Sequence, residues 1–235
     1  MKNQIKKSKT LDEDTETLLA TVSHDLKNPV ISVIMALKTL DNPKLSPLND
    51  YQKEILDNVL VSLHYMKRLI TNVLDAYRFD NKALGMNKTS VDFEEYISSI
   101  LQEVKYIFAD RNQTIRFSSE LKNKIVELDC IEIERVVNNL VANSSIYSPQ
   151  GSEIKIRLFE NGDRICLSME NEGRGIANPE NIFDKFVIRD PSNKTVATGL
   201  GLYIVKEIIT AHGGEVYMES EINKFTRVTF ELPRK

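Results

Sequence analysis

The chain has 235 residues, 41% of them hydrophobic, and a formal net charge of −3. That length fits one large domain or two small ones, and the apolar content excludes a chain that is disordered throughout. Nucleic-acid binding is not expected, because the basic residues form no face; they cluster only at Lys2, Lys6, Lys7 and Lys9, at the terminus.

The first third reads as two long helices. Leu19, Val22, Leu26, Val33, Ala36 and Leu40 recur at a spacing of three to four, with Pro29 in the same series, which is a heptad seam. Asp41–Asp50, with Pro43 and Pro47, ends the helix and turns the chain. The second helix carries Leu56, Val59, Leu63, Met66, Ile70, Val73 and Tyr77, and its stripe is widened by Ile55, Leu60, Leu69 and Leu74. A hairpin of two helices cannot close so wide a stripe alone. Two hairpins paired as a four-helix bundle can, so a homodimer is expected; the alternative is that the stripe packs on the rest of its own chain.

No run of about 18 apolar residues exists and no signal peptide precedes the first helix, so no membrane segment is expected in this chain. Cys130 and Cys166 stand far apart in apolar company and read as reduced core residues. The expected location is cytoplasmic, including as the cytosolic part of a longer membrane-bound protein.

Near Asn81–Lys88 the pattern changes, which puts one domain at residues 1–85 and a second at 86–235. Strand-like runs are Ser90–Phe93, Thr114–Ser118, Lys124–Leu128, Glu153–Phe159, Arg164–Glu170, Gly214–Glu219 and Thr226–Glu231. Helix-like runs are Glu94–Asp110, Ile131–Ile146, Pro179–Lys185 and Leu200–Ala211. Strands and helices do not alternate one for one, so the expected fold is an α/β sandwich with one mixed sheet and helices on one face.

The three histidines differ in setting. His212 precedes Gly213-Gly214 at a helix end, where a left-handed glycine cap explains it and the ring can favour the negative pole. His64 reads as a surface residue. His24 falls opposite the seam formed by Leu19, Val22 and Leu26, with Asp25 beside it and Asn28 one turn on. An exposed neutral imidazole is a competent nucleophile, and a neighbouring carboxylate can accept its proton.

Further on, Asn138, Asn139 and Asn143 crowd one helix; Asn139 and Asn143 share a face, where amide oxygens can hold a hydrated Mg2+. Asn171-Glu172-Gly173-Arg174-Gly175-Ile176 follows a strand, and its glycines admit a flat ligand close to the backbone. Thr198-Gly199-Leu200-Gly201-Leu202 opens an apolar helix, a ready anion site. The polar stretch Val187–Ala197 between them reads as a lid. No P-loop is present.

These residues resemble the histidine kinase family. Ser23–Pro29 looks like the phospho-acceptor box, Glu134–Pro149 the asparagine box, Asn171–Ile176 the first glycine box, Phe183–Phe186 the phenylalanine box and Thr198–Leu202 the second glycine box. The resemblance runs from Leu18 to Leu232. It implies ATP and Mg2+ as ligands, with His24 phosphorylated, Asp25 its base, and Asn28 aiding removal of a phosphoryl group from a partner. It also implies Asn143 on the metal with Asn139 in support, and Tyr147, Asn171, Gly173, Gly175 and Ile176 around the adenine. Phe186, Arg189, Gly199, Leu200 and Gly201 would lie at the lid and phosphates. The partner implied is a response-regulator receiver domain.

Four positions depart from the family pattern: Asn171 for an aspartate, Ile146 for a lysine, Ile188 for an arginine, and Ala197 for a glycine. Missing phosphate-neutralising cations imply slow autophosphorylation or a bias toward phosphatase action. Two other readings follow from the same residues. One is an ATPase clamp of the same superfamily, with Glu132 or Glu134 activating water. The other is a catalytically weak scaffold that binds a regulator.

Overall fold

A computed structural model of the chain describes residues 26–40, 48–80, 85–109, 111–187 and 199–234. The described residues form two compact units: the helical stretches within 26–80, and residues 85–187 with 199–234.

In the helical unit, residues 26–40 are the described part of α1, and α2 runs over Asp50–Asp80. The start of α2 is a reciprocal cap: Gln52 N–H donates to Asn49 Oδ1, and Asn49 N–H donates to Gln52 Oε1. At 31 residues, α2 is about 46 Å long. Two groups of apolar positions stand out on the two helices. Val30, Ile34, Leu56, Ala76 and Phe79 are buried, whereas Leu26, Val33, Leu40, Ile55, Val59, Met66 and Val73 are exposed. Except for Ile55, the exposed group falls at seven-residue intervals, 26-33-40 and 59-66-73; it is part of the seam read from the sequence, of which Leu56 is instead buried and Leu63, Ile70 and Tyr77 are half-buried. Among the described residues no helix is long and apolar enough to cross a membrane.

The second unit is a two-layer α/β sandwich. Its main sheet has the order β2(Thr114–Ser119)-β4(Glu153–Asn161)-β5(Arg164–Glu172)-β7(Phe225–Pro233)-β6(Glu215–Glu221). The β2–β4 pair is parallel and the remaining pairs are antiparallel, so the sheet is mixed, as expected. One face is apolar: Ile154, Ile156, Leu158, Ile165, Leu167, Met169, Phe230 and Leu232 are buried. It carries α5 (Cys130–Tyr147), which packs on β5, and α6 (Gly201–Ala211), which packs on β6 and β7; the two helices also pack on each other. The opposite face is charged. Lys155, Glu170, Arg227 and Glu219 stand directly across from one another on β4, β5, β7 and β6 and form a ladder of ion pairs. That polarity leaves room for helices on one side only.

Three expectations are corrected. β1 (Thr89–Asp92) and β3 (Ile125–Leu128) do not join the main sheet but pair antiparallel as a sheet of their own. The helix read as Glu94–Asp110 is broken into α3 (Phe93–Glu103) and α4 (Lys105–Ala109) at Val104, although its apolar period runs through the break and Val104 is buried. Pro179–Lys185 is a chain of turns rather than a helix, with Asn181 at φ 61° interrupting any helical run.

Candidate functional site

The asparagine helix is held at both ends. At its start, Asp129 accepts from Ile131 N–H and Glu132 N–H, a side-chain cap, and its other oxygen accepts from Asn87 N–H at 2.7 Å. At its other end the carbonyls have no helical partner. Buried Gln113, just before β2, fills that role: its Nε2 lies 3.0 Å from Ser145 O and 3.1 Å from Pro149 O. Ser145 Oγ returns a hydrogen bond to Gln113 Oε1 at 2.8 Å.

His212 completes the anchoring of the helix start. It is buried, its Nε2 accepts from Asp129 N–H at 3.0 Å, and its Nδ1 lies 2.8 Å from Ile208 O. Those partners require a neutral ring with the proton on Nδ1. Burial lowers its pKa. The histidine therefore does engage a carbonyl of the last turn of α6, but as a neutral donor rather than a cation. Gly213 at φ 81° ends the helix as expected.

Along α5, Asn139 and Asn143 face α6. A Cβ placed on Gly201, the first residue of α6, would stand 3.3 Å from Asn139 Oδ1 and 3.9 Å from Asn143 Nδ2. The second glycine segment and the amide pair are thus in contact. Asn138 Oδ1 is buried, with no hydrogen-bond partner among the described residues. The start of α6 also differs from its neighbours. The N-cap side chains of α2, α3 and α5, Asn49, Asp92 and Asp129, cap their helices, whereas the N-cap residue of α6 is Leu200, whose side chain makes no cap hydrogen bond. A helix start led by glycines suits an anion.

Gly199 has φ 66°, and a Cβ there would fall 2.6 Å from the backbone of Phe186. Phe186, also in the left-handed region at φ 62° and largely exposed, donates its N–H to Gly199 O at 2.8 Å. Phe186 and Gly199 are therefore pinned together. Lys185 brings a cation to this region, its ammonium 4.8 Å from the Tyr203 ring centroid.

The first glycine segment packs against the opposite end of α5. A Cβ on Gly173 would stand 2.6 Å from Tyr147 O, so a side chain there would push the end of α5 away. The segment is stitched to the β6–β7 hairpin: Gly173 N–H donates to Lys224 O, Asn223 N–H to Arg174 O, and Ile176 N–H to Ser220 Oγ. At Gly175, φ is 64° and a Cβ would overlap the Glu221 carbonyl. Asn171, near the end of β5 just before this segment, is buried, and its Nδ2 donates to Glu172 O at 3.0 Å. Tyr147 and Ile176 are partly exposed at this end.

Amides and the start of α6 at one end, and buried Asn171 with its glycine loop at the other, lie along about 12 Å of α5 from Asn139 to Tyr147. Asn28 is exposed on α1, its carbonyl accepting from Ser32 Oγ. His24, Asp25 and Arg189 lie outside the described residues, as do Ile188 and Ala197. The position one turn before Asn139 is Arg135, which pairs with Glu132 at 3.4 Å. Neither acid expected for a clamp lies beside the amide pair: Glu132 is two turns away in the first turn of α5, and Glu134 is five residues from Asn139. Gln113, Ser220 and Thr226 gave no local signal, because each reaches the site through a strand pairing or a fold contact.

Residues 14–82 match the family model described as His Kinase A (phospho-acceptor) domain, and residues 128–235 match that described as Histidine kinase-, DNA gyrase B-, and HSP90-like ATPase. The sensor histidine kinase WalK of Bacillus subtilis is 29% identical over 238 residues, covering 96% of this chain and 38% of that protein. The sensor protein SrrB of Staphylococcus aureus is 31% identical over 237 residues, covering 95% of this chain and 39% of that protein. The chain thus spans about two-fifths of the length of these relatives. In fold it is similar to full-length ShkA in complex with AMPPNP, with a TM-score of 0.71 and 22% identity over 92% of this chain and 45% of that one. With a phospho-acceptor domain followed by an ATPase domain, in the order its motifs follow, the chain belongs to the histidine kinase family.

Proposed function

We propose that this chain is the catalytic core of a sensor histidine kinase, which phosphorylates His24 from ATP and passes the phosphoryl group to an aspartate of a response-regulator receiver domain. Residues 1–85 act as the dimerising phosphotransfer unit and residues 86–235 as the ATP-binding unit. The observation that carries the reading is the closeness of Gly201 to Asn139 and Asn143, which puts a glycine-led helix start beside two amides.

The residues present fit the ligands. Gly201 and Gly173 keep clear the space a side chain would fill. Asn143, with Asn139 in support, offers the hard oxygen donors that Mg2+ takes alongside phosphate oxygens. When bound, that ion neutralises phosphate charge. The α6 start receives the phosphates, with Leu200 and Gly199 forming its approach and Phe186 and Arg189 at the lid. Tyr147, Asn171, Gly173, Gly175 and Ile176 surround the adenine.

In the reaction, a ring nitrogen of His24 attacks the γ-phosphorus. The N–P bond forms as the bond from that phosphorus to the β–γ bridging oxygen breaks, and ADP leaves. Asp25 accepts the proton from the other ring nitrogen and holds the tautomer. Asn28, one turn from His24, orients water for the reverse dephosphorylation of the partner. The exposed heptad seam supports a homodimer, which would cover it. The working location is cytoplasmic.

Incubation with labelled ATP and Mg2+ tests the reading. The label is expected at His24, lost in acid and stable in base. His24→Gln is expected to abolish labelling while ATP binding persists. Labelling that continues in that variant would remove His24 from the acceptor role.

A further inference from the structure

Asn171, Thr226 and Ser220 form one row across three strands. Asn171 on β5 pairs directly with Thr226 on β7, and Thr226 with Ser220 on β6. All three point to the helix-covered face, where the next row inward on those strands is wholly apolar: Met169, Val228 and Met218. Three polar side chains on that face call for polar partners.

Their hydrogen bonds can be apportioned atom by atom. A serine hydroxyl has one proton and two lone pairs. Ser220 lies 2.8 Å from Phe225 O, a carbonyl that can only accept, so its proton goes there. One lone pair takes Ile176 N–H at 2.9 Å. Thr226 Oγ1, 3.0 Å away, must then give its own proton to the other. Thr226 is left with lone pairs only. Asn171 is oriented in the same sense, because its Nδ2 faces Glu172 O, and a flipped amide would set oxygen against oxygen. Its Oδ1 is therefore the atom left to read a ligand.

We infer that Ser220 is a specificity-determining positioning residue: by absorbing the Thr226 proton it makes the base end of the site acceptor-only. Such a site matches the exocyclic amine of adenine and repels the O6 carbonyl that guanine carries in its place. Base selectivity is in this way kept without the carboxylate that Asn171 replaces. The inference rests on the nucleotide-site reading above and adds to it a residue that does not touch the nucleotide.

The test measures equilibrium binding of ATP and GTP, each with Mg2+, to the full chain by calorimetry. Wild type is expected to prefer ATP. In Ser220→Ala the Thr226 proton is released and can meet guanine O6, so GTP binding tightens, ATP binding weakens, and the preference falls about tenfold. Ser220→Thr keeps the hydroxyl and the preference. Independently, Thr226→Val removes the hydroxyl lone pairs and is expected to weaken ATP but not GTP, since wild-type Thr226 has no proton to offer guanine and only repels its O6. A Ser220→Ala chain that loses both nucleotides equally, or neither, overturns the inference, as does a Thr226→Val chain that weakens GTP as much as ATP. A wild type that binds neither nucleotide overturns the nucleotide-site reading itself.

Discussion

Gly201 and Asn139 meet where α6 begins, close enough that a methyl group on the glycine would stand 3.3 Å from the amide oxygen. The glycine is not there for backbone freedom, because its φ is not in the left-handed region. It is there for space. Alanine at a helix start is otherwise favourable. Gly201→Ala is therefore expected to leave the unfolding midpoint within about 1 kcal/mol of wild type while it pushes the Asn139 amide aside. Mg2+–ATP affinity, measured by calorimetry, should fall about tenfold. Loss of stability in step with affinity would show that the glycine serves packing instead.

Gly175 presents the opposite case. At φ 64° any side chain is strained, and a Cβ would overlap the Glu221 carbonyl of the hairpin to which the loop is stitched. Strain and overpacking together predict a cost of about 2–4 kcal/mol for Gly175→Ala, read as a lower urea midpoint. ATP binding should fail with the fold rather than before it.

His212 makes the ATP-binding unit sensitive to acid. Its folded pKa is lowered below the ordinary 6.5 by burial, with Lys88 disfavouring the charge and Asp129 favouring it. A depressed histidine contributes stability that is present above the unfolded value and lost as pH falls through the folded one. Protonation would also put a proton on Nε2, where Asp129 N–H already donates. Stability by thermal melting should therefore fall below about pH 6.5 more steeply in wild type than in His212→Gln. Parallel curves for the two would exclude His212 as the cause.

Asn139, Asn143, Gly173, Gly199 and Gly201 stood out in the sequence by residue type and local order alone, and the structure brings Gly201 beside the amide pair. What escaped is what depends on register. Ser220 and Thr226 look like ordinary strand residues until β5, β7 and β6 are aligned over some fifty residues of chain. Gln113 is likewise mute until β2 brings it under the end of α5. The break at Val104 was hidden because a buried apolar residue continues the helical period across it. The turns over 179–185 deceived in the reverse sense, since Ile182 and Phe183 mimic a helix face that Asn181 forbids.

Exposure of the heptad seam yields the last prediction. Val33 on α1 and Val59, Met66 and Val73 on α2 are exposed at seven-residue spacing, while Val30, Ile34 and Leu56 are buried. A lone hairpin that exposes such a stripe has a strong drive to cover it. Each of these side chains is worth about 1.5–3 kcal/mol when buried, and a charge placed in a closed seam costs more than the lost burial. Because the residues are exposed, their substitution leaves the buried contacts of the single chain untouched. Val59→Asp and Met66→Asp are each expected to weaken dimerisation by at least about tenfold, seen by sedimentation, with ATP binding by the second unit unchanged. If both variants sediment as wild type does, the seam is not the dimer interface.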